Sequence, residues 1–524
     1  MTKPFKIIDL FAGPGGLGEG FSAFKDADAS HPFRISLSVE KEPSAQRTLQ
    51  LRAFYRQFPE GEAPQAYYDF LSGKLGNNPD ALYQDTRYHK QATAAAKEAR
   101  QFTLGEENRK VNSAISEALG SSTEPWVLIG GPPCQAYSIV GRSRNMGIAD
   151  YDAIEDHRNF LYKEYLKVIS KFQPDIYVLE NVKGLLSTKV GGIPIFDEIR
   201  RDLECPAKAL GTSDKRQKYT LYSLTTHKES FSGDDFKSKD FVVRSEDYGV
   251  PQARHRVILI GVKNDLALKS LPLILHPVTA PNVKQAIGDL PSLRSGLSKE
   301  VDSLENWIRV VEQKSRPLLK ELRAKGFPEM ADRMRLAQER AGKRNLNRGS
   351  NWVNSEKSKI SKSLPNELQS WYQDSSGWKG VCNHETRGHI APDLQRYLFC
   401  ASYAATMQPK GMLTPKAKEF PDSLAPNHAN WKSGHFADRF RVQAANRPAT
   451  TITSHISKDG HYFIHYDPEQ CRSLTVREAA RIQTFPDNYF FVGNRTQQYV
   501  QVGNAVPPFL ANQIAKIVFR ILSK

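Results

Sequence analysis

The sequence predicts an α/β protein built on a doubly wound, mainly parallel sheet. Short buried apolar runs alternate with helical stretches along residues 5 to 262. Several of those runs end on glycine, proline or a carboxylate, and the carboxyl ends of strands are where such sheets bind ligands.

Phe5 to Leu10 reads as a buried strand that turns through Gly13-Pro14-Gly15-Gly16 into a helix. The run RISLSVEKEP then reads as a second strand ending in Glu40. Strand, glycine turn, helix and strand-with-acid is the order of a nucleotide-type cofactor site. The turn exposes backbone N–H groups and lets a ligand approach, and the acid can take a pair of ribose hydroxyls. The spacing is not GxGxxG, so a dinucleotide is not the first choice. The glycines alone would also make a tight βα turn. Residues 45 to 124 are polar and helix-prone, with no sharp motif.

In VLIGGPPCQAYS, Val127 to Ile129 is a short strand that Gly130-Gly131-Pro132-Pro133 must end. Cys134 therefore sits just past a strand's carboxyl end. It reads equally as a structural thiol in a turn or as a reactive one. Ile176 to Leu179 is a further strand, ending in Glu180-Asn181. A loop with Gln252, Arg254, His255 and Arg256 leads into the strand Val257 to Val262.

After Val262 the pattern changes. Residues 264 to about 450 are less periodic, and Lys314 to Ser363 holds 14 Lys/Arg against 5 Asp/Glu. This reads as a nucleic-acid face, with a solvated helix and loop as the plain alternative. Near the end, RSLTVREAARIQTFP is helical from about Val476, and QVGNAVPPFLANQIAKIVFRIL is a Gly-Asn turn followed by an amphipathic helix.

Over 524 residues the formal charge is +16, which favours an anionic partner. The five cysteines are scattered with no CxxC pair, as in a reducing compartment. No signal peptide is read at the start, and no apolar run is read as long enough to span a bilayer. Cys382, His384, His389 and Cys400 lie close in sequence, but their spacing fits no familiar zinc finger, so no metal is expected.

Taken in order, these pieces resemble the DNA (cytosine-5) methyltransferases of bacterial restriction-modification systems. DLFAGPGG (Asp9 to Gly16) is similar to that family's S-adenosylmethionine loop and VEKEP to its ribose acid. GGPPCQAYS is similar to its catalytic Pro-Cys loop, ENV (Glu180 to Val182) to its acid partner and QARHR to its Gln-x-Arg-x-Arg element. RSLTVREAARIQTFP and QVGNAVP are similar to its two C-terminal motifs. The family's aspartate to the adenine amino group has no clean counterpart; Asp85 in LYQDT is a candidate. The stretch from Glu40 to Cys134 is longer than compact members need.

The resemblance implies a Rossmann-like, S-adenosylmethionine-dependent methyltransferase sheet with a second, smaller target-recognition domain. Residues 1–263, completed by the C-terminal helix 500–524, would form the catalytic domain, and 264–499 the DNA-reading one. It implies catalytic roles for Cys134, Glu180, Arg254 and Arg256. It implies cofactor contacts from Asp9, Phe11, Ala12, Gly13, Gly15, Gly16, Glu40, Pro132 and Asn504. The partner would be double-stranded DNA, with a cognate restriction endonuclease acting separately, and the protein would work as a monomer in the bacterial cytosol. An RNA cytosine-5 methyltransferase is disfavoured because 264–450 is large and basic. A non-catalytic DNA-binding regulator is disfavoured because a binder needs none of Cys134, Glu180, Arg254 and Arg256.

Overall fold

The structure is a computed structural model. It describes residues 3–132, 161–190, 193–212, 218–227, 237–266, 274–312, 315–355, 361–427, 431 and 439–523. Two compact units emerge. The first is Met1–Phe58, Tyr83–Thr279 and Ala505–Lys524; the second is Pro59–Leu82 and Ala280–Asn504.

The first unit is built on an eight-stranded sheet. Its strands are β1 (Phe5–Leu10), β2 (Phe33–Glu40), β3 (Ala99–Gln101), β4 (Trp126–Gly130), β5 (Ile176–Val182), β6 (Tyr219–Tyr222), β7 (Val242–Arg244) and β8 (His255–Lys263). The order is β3-β2-β1-β4-β5-β8-β6, with β7 also on β8. Strands β3 to β5 along that path are parallel, whereas β8 runs antiparallel to β5, β6 and β7.

Alternation along each strand builds two cores. Ile8 and Leu10, Leu128, Tyr177 and Leu179, and Val257 and Leu259 point to one face. Ile7, Val127 and Ile129, Ile176 and Val178, and Ile258 and Ile260 point to the other. Both faces are covered, so the strands read as continuous apolar runs. The helix Pro508–Leu522 closes the second face. It comes so near the helix Gly16–Ser22 that a Cβ on Gly20 would lie 2.4 Å from the Ala511 Cβ. The chain leaves β1 toward β2 on one side and returns to β4 on the other. The carboxyl ends of β1 and β4 therefore flank a topological switch point.

The unit limits differ from the sequence boundary at 263/264 for two physical reasons. Residues up to 279 stay with the sheet unit because the Gly249 amide donates to Val278 O and the Leu275 amide to Leu224 O, with Leu275 buried. Residues 59–82 join the second unit because the helix Gln65–Leu71 buries Tyr67, Tyr68, Phe70 and Leu71 there.

The second unit centres on the helices Leu304–Glu312, Pro328–Lys343 and Ala391–Met407, which pack Trp307, Met330, Met334, Leu394, Leu398 and Cys400 into one core. The RSLTVREAARIQTFP segment works as its scaffold. Thr475 caps the helix Val476–Ile482 in a capping box with Glu478. Arg472 pairs with Glu478 and Arg481 with Asp487 and Asp289, while Arg477 donates to the carbonyls of Cys382, Pro486 and Tyr489. These buried arginines pin the fold rather than meet a partner.

The basic run is less free than its composition implies. Arg335 pairs with Glu339 and Arg344 with Glu469. Such surface pairs are weak, about 0–1 kcal/mol, and can exchange for phosphate. Among the described residues, the soft side chains at 382–400 form no metal cluster. His384 bonds Thr475 Oγ1 and Pro291 O, and Cys400 is buried inside its helix.

One stretch, Arg495–Leu522, does reach the length and apolarity of a membrane span, contrary to the sequence reading. It is divided into the helices Arg495–Asn504 and Pro508–Leu522 around Pro507 and Pro508. At 1.5 Å per residue neither is long enough to span about 30 Å.

Candidate active site

The glycine turn after β1 adopts the backbone that its composition demands. Gly13 and Gly15 take φ of +56° and +92°, and Phe11 itself lies at +55°. A Cβ on Gly13 would meet nothing within 4 Å, so this side of the turn is open to a ligand. Gly16 has a different reason. A Cβ there would lie 2.1 Å from the Val506 carbonyl oxygen, so this glycine serves packing against the C-terminal segment.

Glu40, at the end of β2, is tied to that turn. One carboxylate oxygen accepts the Gly13 amide at 2.8 Å, and the other accepts the Lys41 and Glu42 amides at 2.9 Å each. Burial pushes its carboxyl up, opposed by these three N–H groups. A carboxylate offers about four lone-pair sites. Three are in use, which leaves Glu40 one acceptor for a ribose hydroxyl rather than the pair expected from sequence. The Ala12 amide donates to Val39 O, which locks the turn to β2. Asp9 is buried beneath, with a carboxylate oxygen against the Gly18 backbone, 3.2 Å from where a Cβ on that glycine would sit. Burial first and the Glu40 charge second raise its carboxyl well above the usual range, against the pull of Arg56.

No aspartate stands at the end of β3. Asp85 is spent on Arg87, whose amide, Nε and Nη2 all donate to it. Beside Glu40 instead come Gln101 and Phe102. The Phe102 amide donates to Glu40 O, and its half-buried ring packs on the sheet core, as that of Phe11 does. Sequence reasoning missed both residues. A three-residue strand inside a polar, helix-prone stretch carries no periodicity.

On the other side of the switch point, β4 ends at Gly130. Cys134, and the stretch to Asp150 and beyond that follows it, lies outside the described residues, but the loop's entry is clear. The Pro132 carbonyl accepts the Asn181 side-chain amide at 3.2 Å, and Asn181 Oδ1 accepts the Val182 amide at 2.8 Å. Asn181 thus ties the loop to β5. A Cβ on Gly131 would sit 2.8 Å from a Glu180 carboxylate oxygen, so a side chain there would push that carboxylate away from the loop.

Glu180 is paired with Arg256 of the adjacent antiparallel β8, Nε to Oε1 at 2.8 Å, and both side chains are only 12–13% exposed. Arg254 is 1% exposed. Burial and the neighbouring Arg256 push its guanidinium below the ordinary value, opposed by Glu180. Guanidinium still carries its charge in proteins. Two cations and one carboxylate are therefore concentrated where Gly131-Pro132 leads into the cysteine loop. His255 stands apart, half exposed and 2.7 Å from Glu246. Asn504 ends a helix of the second unit, so its cofactor role rests on the resemblance alone.

An open glycine turn tied to an acid on the next strand, across a switch point from a paired carboxylate, is the plan of a Rossmann-like methyltransferase. The C-5 cytosine-specific DNA methylase family model matches residues 102–205 and 208–520, and the chain belongs to that family. A type II methyltransferase of Bacillus paralicheniformis, M.Bpa9945I, is 32% identical over 99% of both chains. M.AgeI of Thalassovita gelatinovora is 26% identical over 98% of this chain and 99% of its own. A solved structure of a prophage-encoded DNA modification methyltransferase from E. coli shares the fold, with a TM-score of 0.52 at 18% identity over 99% of this chain and 100% of its own. The protein is a DNA (cytosine-5) methyltransferase that uses S-adenosylmethionine.

The residues present fit that cofactor: an open turn at Gly13, a buried acid with one acceptor left, and half-buried aromatic rings at 11 and 102. Glu40→Ala is expected to raise the dissociation constant of S-adenosylmethionine about 10- to 100-fold. That is the loss of one hydrogen bond to a charged group, roughly 1.5–3 kcal/mol. Calorimetry showing an unchanged affinity would refute the role.

Proposed function

We propose that the chain methylates one specific double-stranded DNA sequence as the modification arm of a restriction-modification system. It would act as a monomer in the bacterial cytosol, beside a separate endonuclease. The observation that carries the chemistry is the Glu180–Arg256 pair lying against Gly131 at the mouth of the cysteine loop.

Cytosine C5 is a poor nucleophile. Cys134 Sγ, as thiolate, adds to C6 of the target cytosine and turns the ring into an enamine, which splits one hard step into easier ones. Arg254 and Arg256 favour the thiolate by their charge. Addition pushes electrons toward N3 and O2. A proton shared between Glu180 and N3 neutralises that charge and goes back to the carboxylate when the product leaves, while Arg256 holds the other carboxylate oxygen. Bound S-adenosylmethionine supplies the methyl group, on a positively charged sulfur, that C5 takes. Loss of the C5 proton to water then lets the Cys134–C6 bond break and returns the thiolate.

Gly13, Gly15 and Glu40 hold the amino-acid and ribose ends of the cofactor. Phe102 is the apolar wall for its adenine, in place of any contact from Asp85. Asp9, Phe11, Ala12 and Pro132 complete the cofactor pocket, and Gly16 supports it by packing. The target base is flipped out of the duplex to reach this loop, at a cost of a few kcal/mol. The second unit reads the sequence.

Bisulfite sequencing of DNA from cells expressing the protein tests this reading. Methylated cytosine in a single sequence context is expected. Unmethylated DNA, or methylation without regard to sequence, would overturn it.

A further inference from the structure

The segment 59–82 belongs to the second unit although it lies between two strands of the first. Its helix Gln65–Leu71 is anchored by long-range contacts. The Tyr68 hydroxyl donates to Asp374 at 3.1 Å, the Tyr68 ring lies 6.1 Å from that of Trp378, and the Phe70 ring 5.2 Å from that of Phe490. This anchoring leaves a tip, residues 73–78, exposed throughout. Gly73 and Gly76 take φ of +78° and +76° with nothing within 4 Å of a Cβ, and between them stand Lys74 and Leu75. Lys74 pairs with Asp69, and its side chain is 68% exposed.

The tip meets a hairpin at one point: Asn351 Nδ2 donates to Asn77 Oδ1 at 3.0 Å. Asn351 lies on Gly349–Asn354, which pairs antiparallel with Gly380–Glu385. The inner strand is buried from Gly380 to His384, while every residue of the outer strand is at least partly exposed. The sequence from Lys343 to Ser363, which contains the outer strand, carries six Lys/Arg against one Glu.

We propose that the tip 73–78 and the strand Gly349–Asn354 form one base-reading surface, joined at the Asn77–Asn351 amide pair. The occupant is duplex DNA, the substrate of the family. A two-stranded ribbon fits the major groove. Beyond that one bond the two amides retain N–H donors and carbonyl acceptors, the groups that complement adenine N7 and N6. The exposed Lys343 and Lys362, on either side of the ribbon in the sequence, hold the phosphates and set its register. The inserted segment therefore contributes to which sequence is methylated, not only to the fold.

This rests on the second unit being the DNA-reading part, and methylation by the parent protein tests that separately. The test uses full-length Asn77→Ala, Asn351→Ala, their double variant and Lys74→Ala/Leu75→Ala. The last alters only exposed side chains, in case loss of the amide pair disturbs folding. Binding to the methylated sequence, to duplexes with one base pair changed and to an unrelated duplex is measured by fluorescence anisotropy. Calorimetry with S-adenosylmethionine checks that each variant is folded.

Asn77→Ala and Asn351→Ala are expected to lose discrimination at the same base pair, about tenfold or more, with the double variant little worse than either. Affinity for the unrelated duplex should hold. For Lys74→Ala/Leu75→Ala, binding to the methylated sequence should fall more than binding to the unrelated duplex. Folded variants whose discrimination matches the parent at every position, or whose affinity falls equally on all duplexes, would overturn the proposal.

Discussion

Replacement of Cys134 by alanine is expected to abolish methyl transfer and leave duplex binding in place. Without the sulfur, C5 keeps its poor nucleophilicity and no other residue on the loop can add to C6. Removal of a covalent nucleophile costs on the order of 10⁴-fold or more in turnover. In the proposed division of labour, binding rests on the second unit and on phosphate contacts, which the substitution does not touch. Tritium transfer from labelled S-adenosylmethionine and a gel-shift on the same duplex separate the two effects. A Cys134→Ala protein that retains a tenth of the parent's turnover would remove the cysteine from the mechanism.

Glu180→Gln is expected to lower kcat by roughly 10²- to 10⁴-fold, the usual contribution of a positioned acid. Glutamine keeps the shape of the side chain but has no acidic proton for N3, and it breaks the 2.8 Å ion pair with Arg256. That pair is largely buried, so the stranded Arg256 charge adds a structural cost. Affinity for the duplex separates the two. A lost acid lowers kcat with affinity unchanged, whereas a structural change around Arg256 weakens binding as well. Gly131→Ala provides an independent check, since its Cβ would press on the Glu180 carboxylate from 2.8 Å. Reduced kcat with unchanged cofactor affinity is the expected outcome. Full activity in both variants would show that Glu180 is a strand-end carboxylate without a part in catalysis.

Much of the first unit was legible because its signals are local. Alternating apolar runs at β1, β4 and β8, and glycines where the backbone needs positive φ, mark strand ends in any context. Glu40 and Glu180 were found as acids at such ends. What they touch was not legible, since it depends on chain far away or on the loop's own path. The three amides that occupy Glu40, the Asn181 bond to Pro132 O and the close approach of Glu180 to Gly131 all follow from the folded backbone. Gly16 was read as a cofactor residue because its neighbours are. Its actual demand comes from Val506, some 490 residues downstream.

The second unit was harder to read for the same reason. Segment 59–82 joins it through contacts such as Tyr68–Asp374, separated by 306 positions, which leave no periodic trace in a polar stretch. Counting charges in 314–363 could not show that Arg335 and Arg344 already face Glu339 and Glu469.

The central claim is that the sulfur of Cys134 bonds to cytosine C6 during turnover. A duplex carrying 5-fluorocytosine at the methylated position tests this most directly, because fluorine replaces the proton whose loss would release the enzyme. Parent protein, this duplex and S-adenosylmethionine are incubated together, digested and analysed by peptide mass spectrometry. The expected product is a nucleotide adduct on the peptide containing Cys134, with the methyl group on the trapped base. An adduct on another residue, or none from an enzyme that methylates the unmodified duplex, would contradict the account.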